Sequence, residues 1–124
     1  MKINGTDKQV TWARDILEKF TLALDTRIIS LDNQKMTMVP KPSWKPEEIE
    51  SCLEKRRVMN RKIDIKTCML KNVSDHLQST DLYAGDIIDA ENLLKMEDLE
   101  YVIESGDKPM VYKNLGINTI LGEI

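Results

Sequence analysis

The side chains with the greatest chemical reactivity in this sequence are two cysteines and a single histidine. Cys52 and Cys68 do not form a Cys-x-x-Cys pair, and His76 is the only histidine in the chain. A cysteine nucleophile needs a base nearby, and His76 follows Cys68 by eight residues, so folding could bring the two together. The alternative is that the cysteines are unreactive helix residues, because unpaired cysteine is among the residue types most often buried. We favour this alternative, and the enzyme hypothesis rests on Cys68 and His76 alone.

Metal and nucleotide sites have no pattern of their own in the sequence. A metal site needs clustered His, Cys and carboxylate residues, and His76 has only Asp75 beside it. Phosphate-binding loops need glycines in tandem, whereas the five glycines of this chain are scattered singly. We therefore expect no metal ion, no cofactor and no catalytic activity.

Charge is distributed very unevenly along the chain. The net charge is −3, but residues 1–34 sum to zero, residues 35–73 to +5 and residues 74–124 to −8. Such asymmetry would create one positive and one negative face if these segments fold as separate elements. Surface charge is then the feature most relevant to the choice of a binding partner.

Basic residues concentrate in the middle of the chain, within one predicted helical segment. They are Lys55, Arg56, Arg57, Arg61, Lys62 and Lys66. At helical spacing, residues 55, 62 and 66 share one side and residues 57 and 61 share another. This stretch could contact phosphates, whereas a solvated face is the competing interpretation, favoured by the acidic isoelectric point of about 5.2.

Acidic residues concentrate near the end of the chain, again on a predicted helix. Glu97, Asp98, Glu100 and Glu104 form this group, called the acidic face below. The acidic face could be ordinary solvated surface. The sharper hypothesis is that it imitates nucleic-acid phosphates and occupies a basic groove of a partner.

The composition is that of an ordinary globular protein with few aromatic residues. Hydrophobic residues make up 41% and charged residues 31% of the chain, and a length of 124 residues predicts a single domain over 1–124. Seven methionines indicate either a soft core or a methionine-bearing contact surface. The sequence shows no signal peptide and no apolar run of about 18 residues, so we expect a cytoplasmic protein that does not enter a membrane.

Hydrophobic spacing predicts a mainly α (α+β) fold with four to five helices. Thr6 and Gln9 have the spacing of a capping box at the start of a helix over 7–25. A charged helix over 47–72 is expected to follow Pro46 as one helix rather than two. Further helices are predicted to begin at Ser74, Leu82 and Asp89, and the last should end at Gly106.

The predicted β element is small, antiparallel, and two- or three-stranded. Residues 35–39 are one strand candidate, and residues 110–112 and 117–121 could form a terminal hairpin. Prolines 40, 42 and 46 predict an extended linker in which Trp44 attaches the linker to the core.

The segment from Gly5 to Ile16 resembles an N-terminal pattern, G-[ST]-[DE]-K-Q-x-x-W-A-x-x-I, of small proteins from bacterial phages and mobile elements. Here it reads GTDKQVTWARDI and covers about a tenth of the chain. A later W-I-D-N-R-like segment of such proteins has no counterpart in residues 82–89, which lack both the tryptophan and the arginine. The resemblance implies a phage or mobile-element setting and no particular biochemical activity.

These features together predict a small non-catalytic protein that acts by binding. The preferred partner is a host protein or a ribonucleoprotein, with inhibition of a defence system such as a CRISPR nuclease as the specific hypothesis. The alternative is an accessory protein that binds nucleic acid directly through the basic stretch 55–66. A structural role within a larger particle would also fit the sequence.

Overall fold

A computed structural model describes residues 1–122, and within them the chain is mainly helical. The elements in chain order are β1 (Ile3–Asn4), α1 (Asp7–Asn33), α2 (Pro46–Ser79), β2 (Leu82–Tyr83), α3 (Ala84–Asp89), a 3-10 turn (Glu91–Leu93), α4 (Met96–Ser105), α5 (Met110–Asn114) and α6 (Ile117–Gly122). The mainly helical prediction is confirmed, although the described part of the chain has six α-helices rather than four to five. Residues 123 and 124 of the predicted domain lie outside the described residues.

Helix α1 begins where its capping residues predict and runs further than expected. The Thr6 hydroxyl accepts a hydrogen bond from the Gln9 backbone N–H at 3.3 Å, and the Thr6 N–H donates to the Gln9 side chain at 3.2 Å. The capping box is therefore confirmed. Leu17, Phe20 and Leu24 are buried on the expected stripe, and the helix continues past residue 25 to Asn33.

Helix α2 is one continuous helix of 34 residues, as the single-helix interpretation requires. Pro46 stands at its first turn, where a missing N–H costs nothing and the fixed φ favours a helix. The prediction that Ser74 caps a separate helix is wrong, because Ser74 is buried within α2. Serine is a weak helix breaker, and the apolar stripe of α2 continues through Val73 and Leu77 on both sides of it.

The predicted antiparallel β element is wrong in both place and direction. The sheet has two strands, β1 and β2, which pair in parallel with Ile3 opposite Leu82. Residues 35–39 form no strand, and residues 110–112 and 117–121 lie in α5 and α6. Ile117 and Leu121 are both buried at the four-residue spacing of a helix. So short an apolar run fits a strand or a helix, and only its contacts with the rest of the fold select one of them.

The helices predicted to begin at Leu82 and Asp89 start later in the structure. Leu82 belongs to β2, so α3 begins at Ala84, and a 3-10 turn separates α3 from α4. Helix α4 ends as predicted, with Gly106 in the left-handed conformation at φ 77°. Glycine is favoured there because it lacks the Cβ atom that crowds this conformation.

The hydrophobic core connects α1, the second half of α2 and the elements after it. Its most deeply buried large side chains include Phe20, Leu70, Ile87, Leu99 and Tyr112. Helix α1 packs against α2 and α3, and α6 packs against α2. We call the described residues outside 36–62 the body, because every buried side chain lies in them.

Residues 36–62, called the arm below, contain no buried residue. They comprise a connecting segment (36–45) and the first half of α2, whose first buried residue is Ile63. Lys35 Nζ lies 2.7 Å from Asp64 Oδ1, and this ion pair places the end of α1 beside the middle of α2. The α2 part of the arm therefore extends about 25 Å beyond α1 at 1.5 Å per residue.

Candidate binding surfaces

The acidic face lies on α4 as predicted, but only part of it is free of contacts with the body. Glu97 and Glu104 are exposed, whereas Asp98 and Glu100 are partly buried. The Glu100 carboxylate accepts a hydrogen bond from Arg27 Nε of α1 at 2.5 Å. Glu100 therefore holds α4 against α1, and a change of its charge would affect packing as well as any partner.

One residue of the basic stretch neutralises the acidic face within the same molecule. Lys66 Nζ lies 3.7 Å from a carboxylate oxygen of Glu100 and 3.7 Å from one of Glu104. The two charged groups were predicted to form separate faces, because nothing in the local sequence pattern indicates that Lys66 of α2 lies within ion-pair distance of α4. The remaining acidic edge consists of Glu97, Asp98 and the outer side of Glu104.

Asp98 lies close to Tyr112, a fully buried residue that links two segments of the body. The Tyr112 hydroxyl donates a hydrogen bond to the Leu93 backbone carbonyl at 2.5 Å. Burial, and then the negative charge of Asp98, raise the pKa of Tyr112 well above its ordinary value. The phenol therefore stays protonated as a donor, which makes Tyr112 a structural residue.

Two further residues of the predicted basic surface make contacts within the arm itself. The Arg56 guanidinium donates a hydrogen bond to the backbone carbonyl of Met38 at 3.0 Å. Arg57 forms two hydrogen bonds with Glu54, at 2.7 and 3.1 Å, and thereby lowers the pKa of that carboxyl. Both side chains thus have partners inside the chain.

The other three cations do not form one continuous phosphate-binding surface. Lys55, Arg61 and Lys62 are exposed, and no carboxylate among residues 1–122 lies within 4 Å of them. At 100° per residue, Lys55 and Lys62 lie within about 20° of each other around α2, whereas Arg61 lies about 100–120° away from them. The structure therefore does not bring the six predicted residues together into a single site.

Polar contacts, rather than a core, hold the connecting segment of the arm along α2. The Asn60 amide donates to the Met36 carbonyl at 3.0 Å, and the Met36 N–H donates to the Asn60 amide oxygen at 2.7 Å. A hydrogen bond from Lys35 to Asp64 raises the pKa of that ammonium group. The segment has a defined path, although none of its side chains is buried.

The arm also exposes apolar side chains, two of which, Met38 and Val39, lie in the predicted strand 35–39. They are Met38, Val39, Leu53, Val58 and Met59, with exposed fractions from 37% to 75%. The methionine-bearing contact surface was one of the two alternatives raised by composition. Trp44 is half-buried, and it lines a pocket within the arm instead of attaching the linker to the core.

Cys68 and His76 do not form the nucleophile and base that their spacing allowed. Both lie on α2, eight residues and therefore about 12 Å apart along the helix axis. His76 Nε2 is 2.8 Å from the Leu115 carbonyl oxygen, which can only accept, so this nitrogen carries the proton. His76 Nδ1 lies 3.2 Å from the Thr80 hydroxyl. His76 thus joins α2 to the end of α5.

Among residues 1–122, no three His, Cys, Asp or Glu side chains are placed to hold a metal ion together. No helix in this part of the chain combines the length and the apolar character that a membrane span requires.

Comparisons with known proteins identify no relative of this chain. No protein-family model matches it, and neither a curated protein nor a solved structure matches it. Its function must therefore be inferred from the surfaces described above, of which the arm, the acidic edge and the unpaired cations of α2 are the candidates.

Proposed function

We propose that this chain is a non-catalytic binding protein whose arm contacts a host protein or a ribonucleoprotein. The observation that carries the proposal is that residues 36–62 have a defined path, with helix and side-chain hydrogen bonds, but contain no buried residue. Ordering a backbone costs roughly 1–2 kcal/mol per residue, and burial of apolar surface usually offsets that cost. Here the arm contributes little to the core, which favours a role in contacting another molecule.

The chemistry of the arm suits a partner surface that is partly apolar and partly acidic. The arm has seven basic and four acidic residues, a net charge of +3, whereas the rest of the chain has eleven basic and seventeen acidic residues, a net charge of −6. Met38, Val39 and Leu53 supply exposed apolar area between these charges. Apolar anchors within a charged rim are typical of protein interfaces.

The biological setting that we propose follows from the N-terminal segment that resembles phage and mobile-element proteins. In that setting the chain would act in the cytoplasm of a host cell. Inhibition of a defence complex, such as a CRISPR nuclease, is the specific form of the proposal. Thr6 and Gln9 of this segment cap α1, so a structural role accounts for part of the motif.

The acidic edge is a second candidate surface for the same class of partner. Glu97 and Glu104 are exposed on α4, so these carboxylates could enter a basic groove that normally holds nucleic acid. Reversal of Glu97 and Glu104 to lysine tests this idea better than reversal of all four acids, because Glu100 also supports the fold.

Direct nucleic-acid binding through the basic stretch is the alternative function. The cations that favour it are Lys55, Arg61 and Lys62, which have no carboxylate partner within residues 1–122. Affinity for duplex and single-stranded nucleic acid, measured against salt concentration, decides the question, since phosphate contacts produce a steep negative slope. The arm proposal expects almost no affinity for either nucleic acid alone.

The main experiment compares four forms of the chain as baits in a bacterial host lysate. They are the wild type, an arm variant (Val39→Asp with Leu53→Asp), an acidic-edge variant (Glu97→Lys with Glu104→Lys) and a control, Leu22→Asp, which changes an exposed apolar residue of the body. Circular dichroism confirms that each bait is folded before use.

We expect one partner that the wild type and Leu22→Asp retain and that the arm variant loses by at least tenfold. Loss with the acidic-edge variant alone would move the binding surface to α4. Equal retention by all four baits would refute the arm as the contact surface.

A further inference from the structure

We propose that a pocket inside the arm binds copper(I) through the sulfur atoms of Met36, Met38 and Cys52. The proposal goes beyond partner binding and concerns a separate chemical property of the arm. The pocket has a volume of about 430 Å³ and lies between the connecting segment and the first turns of α2. All three sulfur-bearing side chains line it.

The geometry that points to a shared ion is the approach of two sulfur atoms. Cys52 Sγ lies 3.6 Å from Met38 Sδ. Two sulfur ligands that are each about 2.3 Å from one metal ion, and 3.6 Å from each other, would subtend roughly 100° at that ion. This angle is close to the tetrahedral value, so the two atoms could bind one ion without a large rearrangement.

The backbone places Met36 and Met38 on the same pocket. Both residues line it, although residues 36–38 form no strand. Asn60 fixes the Met36 backbone with two hydrogen bonds, and Arg56 binds the Met38 carbonyl. The Met-Thr-Met segment is thus held opposite Cys52, which is why a sequence that alternates like a strand forms part of a pocket.

The donor set selects a soft ion. Thioether and thiolate ligands favour copper(I), whereas zinc favours imidazole, thiolate and carboxylate ligands in a closed tetrahedral set. Binding converts the Cys52 thiol to a thiolate: a copper–sulfur bond forms, the S–H proton passes to solvent, and no electron is transferred.

The other residues that line the pocket are consistent with a bound monovalent cation. Trp44 presents an aromatic ring, whose face attracts cations. Glu47 and Glu48 add negative charge, which Lys55 partly offsets. Ser51 completes the lining.

The test is an anaerobic titration of the reduced chain, residues 1–124, with copper(I), in competition with the chromophoric chelator bicinchoninate. We expect one copper ion per chain. Cys52→Ser should weaken the affinity at least 100-fold and Met38→Leu at least tenfold. Trp44 fluorescence should change on binding in the wild type and not in Cys52→Ser.

Two matched controls keep the test specific. Cys68→Ser removes the other cysteine of α2, which is exposed and whose hydrogen-bond contact is with Asn72 rather than with a methionine, and Met110→Leu removes an exposed methionine of the body. Both should bind copper(I) as the wild type does. Affinity that is unchanged in Cys52→Ser, equally reduced in Cys68→Ser, or equalled by zinc would overturn the proposal.

The failure of this proposal would not affect the proposed function. Val39 and Leu53, which test partner binding, are not among the residues that line the pocket. A chain that captures its partner but binds no copper(I) refutes only the metal site. A chain that binds copper(I) but whose arm variant retains the partner refutes only the contact surface.

Discussion

The two halves of α2 show how differently one helix can be used along its length. In residues 63–79 five side chains are buried, among them Ile63, Leu70 and Leu77, whereas residues 46–62 bury none. Both halves are helical because an existing helix extends at little cost once its nucleus is formed. The second half of α2 therefore supports the fold, and the side chains of the first half stay accessible to other molecules.

The largest expected contrast is between two leucine truncations on this one helix. Leu70 is fully buried, so Leu70→Ala should lower the free energy of unfolding by about 3 kcal/mol, since a buried leucine loses both burial and packing. Leu53 is 39% exposed, and Leu53→Ala should change stability by less than about 0.5 kcal/mol. Urea unfolding followed by circular dichroism measures both, and similar losses would contradict the comparison.

Two glycines test how tightly the body is packed near its end. Gly106 and Gly116 both have φ 77°, but a Cβ atom at residue 116 would lie 2.6 Å from His76 Nε2, while one at residue 106 meets open space. Gly106→Ala should cost about 1 kcal/mol from backbone strain alone. Gly116→Ala should cost about 2 kcal/mol or more, because strain and a clash are combined.

The difference in unfolding free energy between Gly106→Ala and Gly116→Ala isolates the clash with His76. Thermal unfolding of both proteins under identical conditions measures it. Equal destabilisation would show that the histidine side chain moves freely and that the end of the body is not tightly packed.

Two ion pairs extend the comparison to electrostatics. Glu100→Gln removes a partly buried partner of Arg27 and should lower stability by about 1 kcal/mol. Glu54→Gln removes an exposed partner of Arg57, and no measurable change is expected. Double-mutant cycles with Arg27→Met and Arg57→Met measure the two pair energies, and a larger coupling in the arm would contradict the account.

The pH dependence of the Glu54 pair has a definite sign. Arg57 lowers the pKa of Glu54 in the folded protein. The contribution of the pair, which is too small to be measured as a change in unfolding free energy, is therefore present above the pKa of the unfolded carboxyl and is lost as the pH falls through the lowered value. A pair that weakened as the pH rose through this range would have a different origin.

The smallest effect on global stability is expected from loss of the hydrogen bonds that attach the connecting segment to Asn60. Asn60→Ala removes both hydrogen bonds to Met36. The unfolding midpoint should stay nearly unchanged, while thermolysin cleavage within residues 36–40 should accelerate about tenfold, because these two partly buried hydrogen bonds contribute roughly 1 kcal/mol to local closure. Asn72→Ala is the control. If it accelerated cleavage within residues 36–40 equally, Asn60 would not be what holds the connecting segment in place.

Local patterns in the sequence were sufficient for the starts of the two long helices and for the end of α4. The capping box at Thr6 and Gln9, the proline at residue 46 and the glycine at residue 106 each act within one helical turn. Such signals do not depend on the rest of the chain, and so the helix ends that they mark were predicted correctly. The continuity of α2 past Ser74 depended instead on burial by other elements.

The errors arose where structure is decided by contacts distant in sequence. The parallel pairing of Ile3 with Leu82 joins residues 79 positions apart, and no local pattern indicates it. Residues 110–112 and 117–121 are short enough to fit a strand or a helix, and the packing of α6 against α2, and of α5 against α6 and α3, selects the helix. The same reason explains why Lys66 was assigned to a basic surface although it lies beside Glu100 and Glu104.

The candidate surfaces were predicted by composition and corrected by geometry. Charge counts identified acidic and basic groups, but the partners of Arg56, Lys66 and Glu100 became visible only in the fold. The arm was not predicted as a unit, since a charged helix and a proline-rich linker give no sign that neither will meet the core.

Native-state hydrogen exchange along α2 tests the central claim most directly. The claim is that the helix changes at Ile63 from an element of the core to an exposed arm. We expect the amides of residues 67–79 to exchange with free energies near that of global unfolding. Amides of residues 50–62 should exchange through local opening, at least about 2 kcal/mol more easily. Uniform protection along the whole helix would contradict the division of the molecule into a body and an arm.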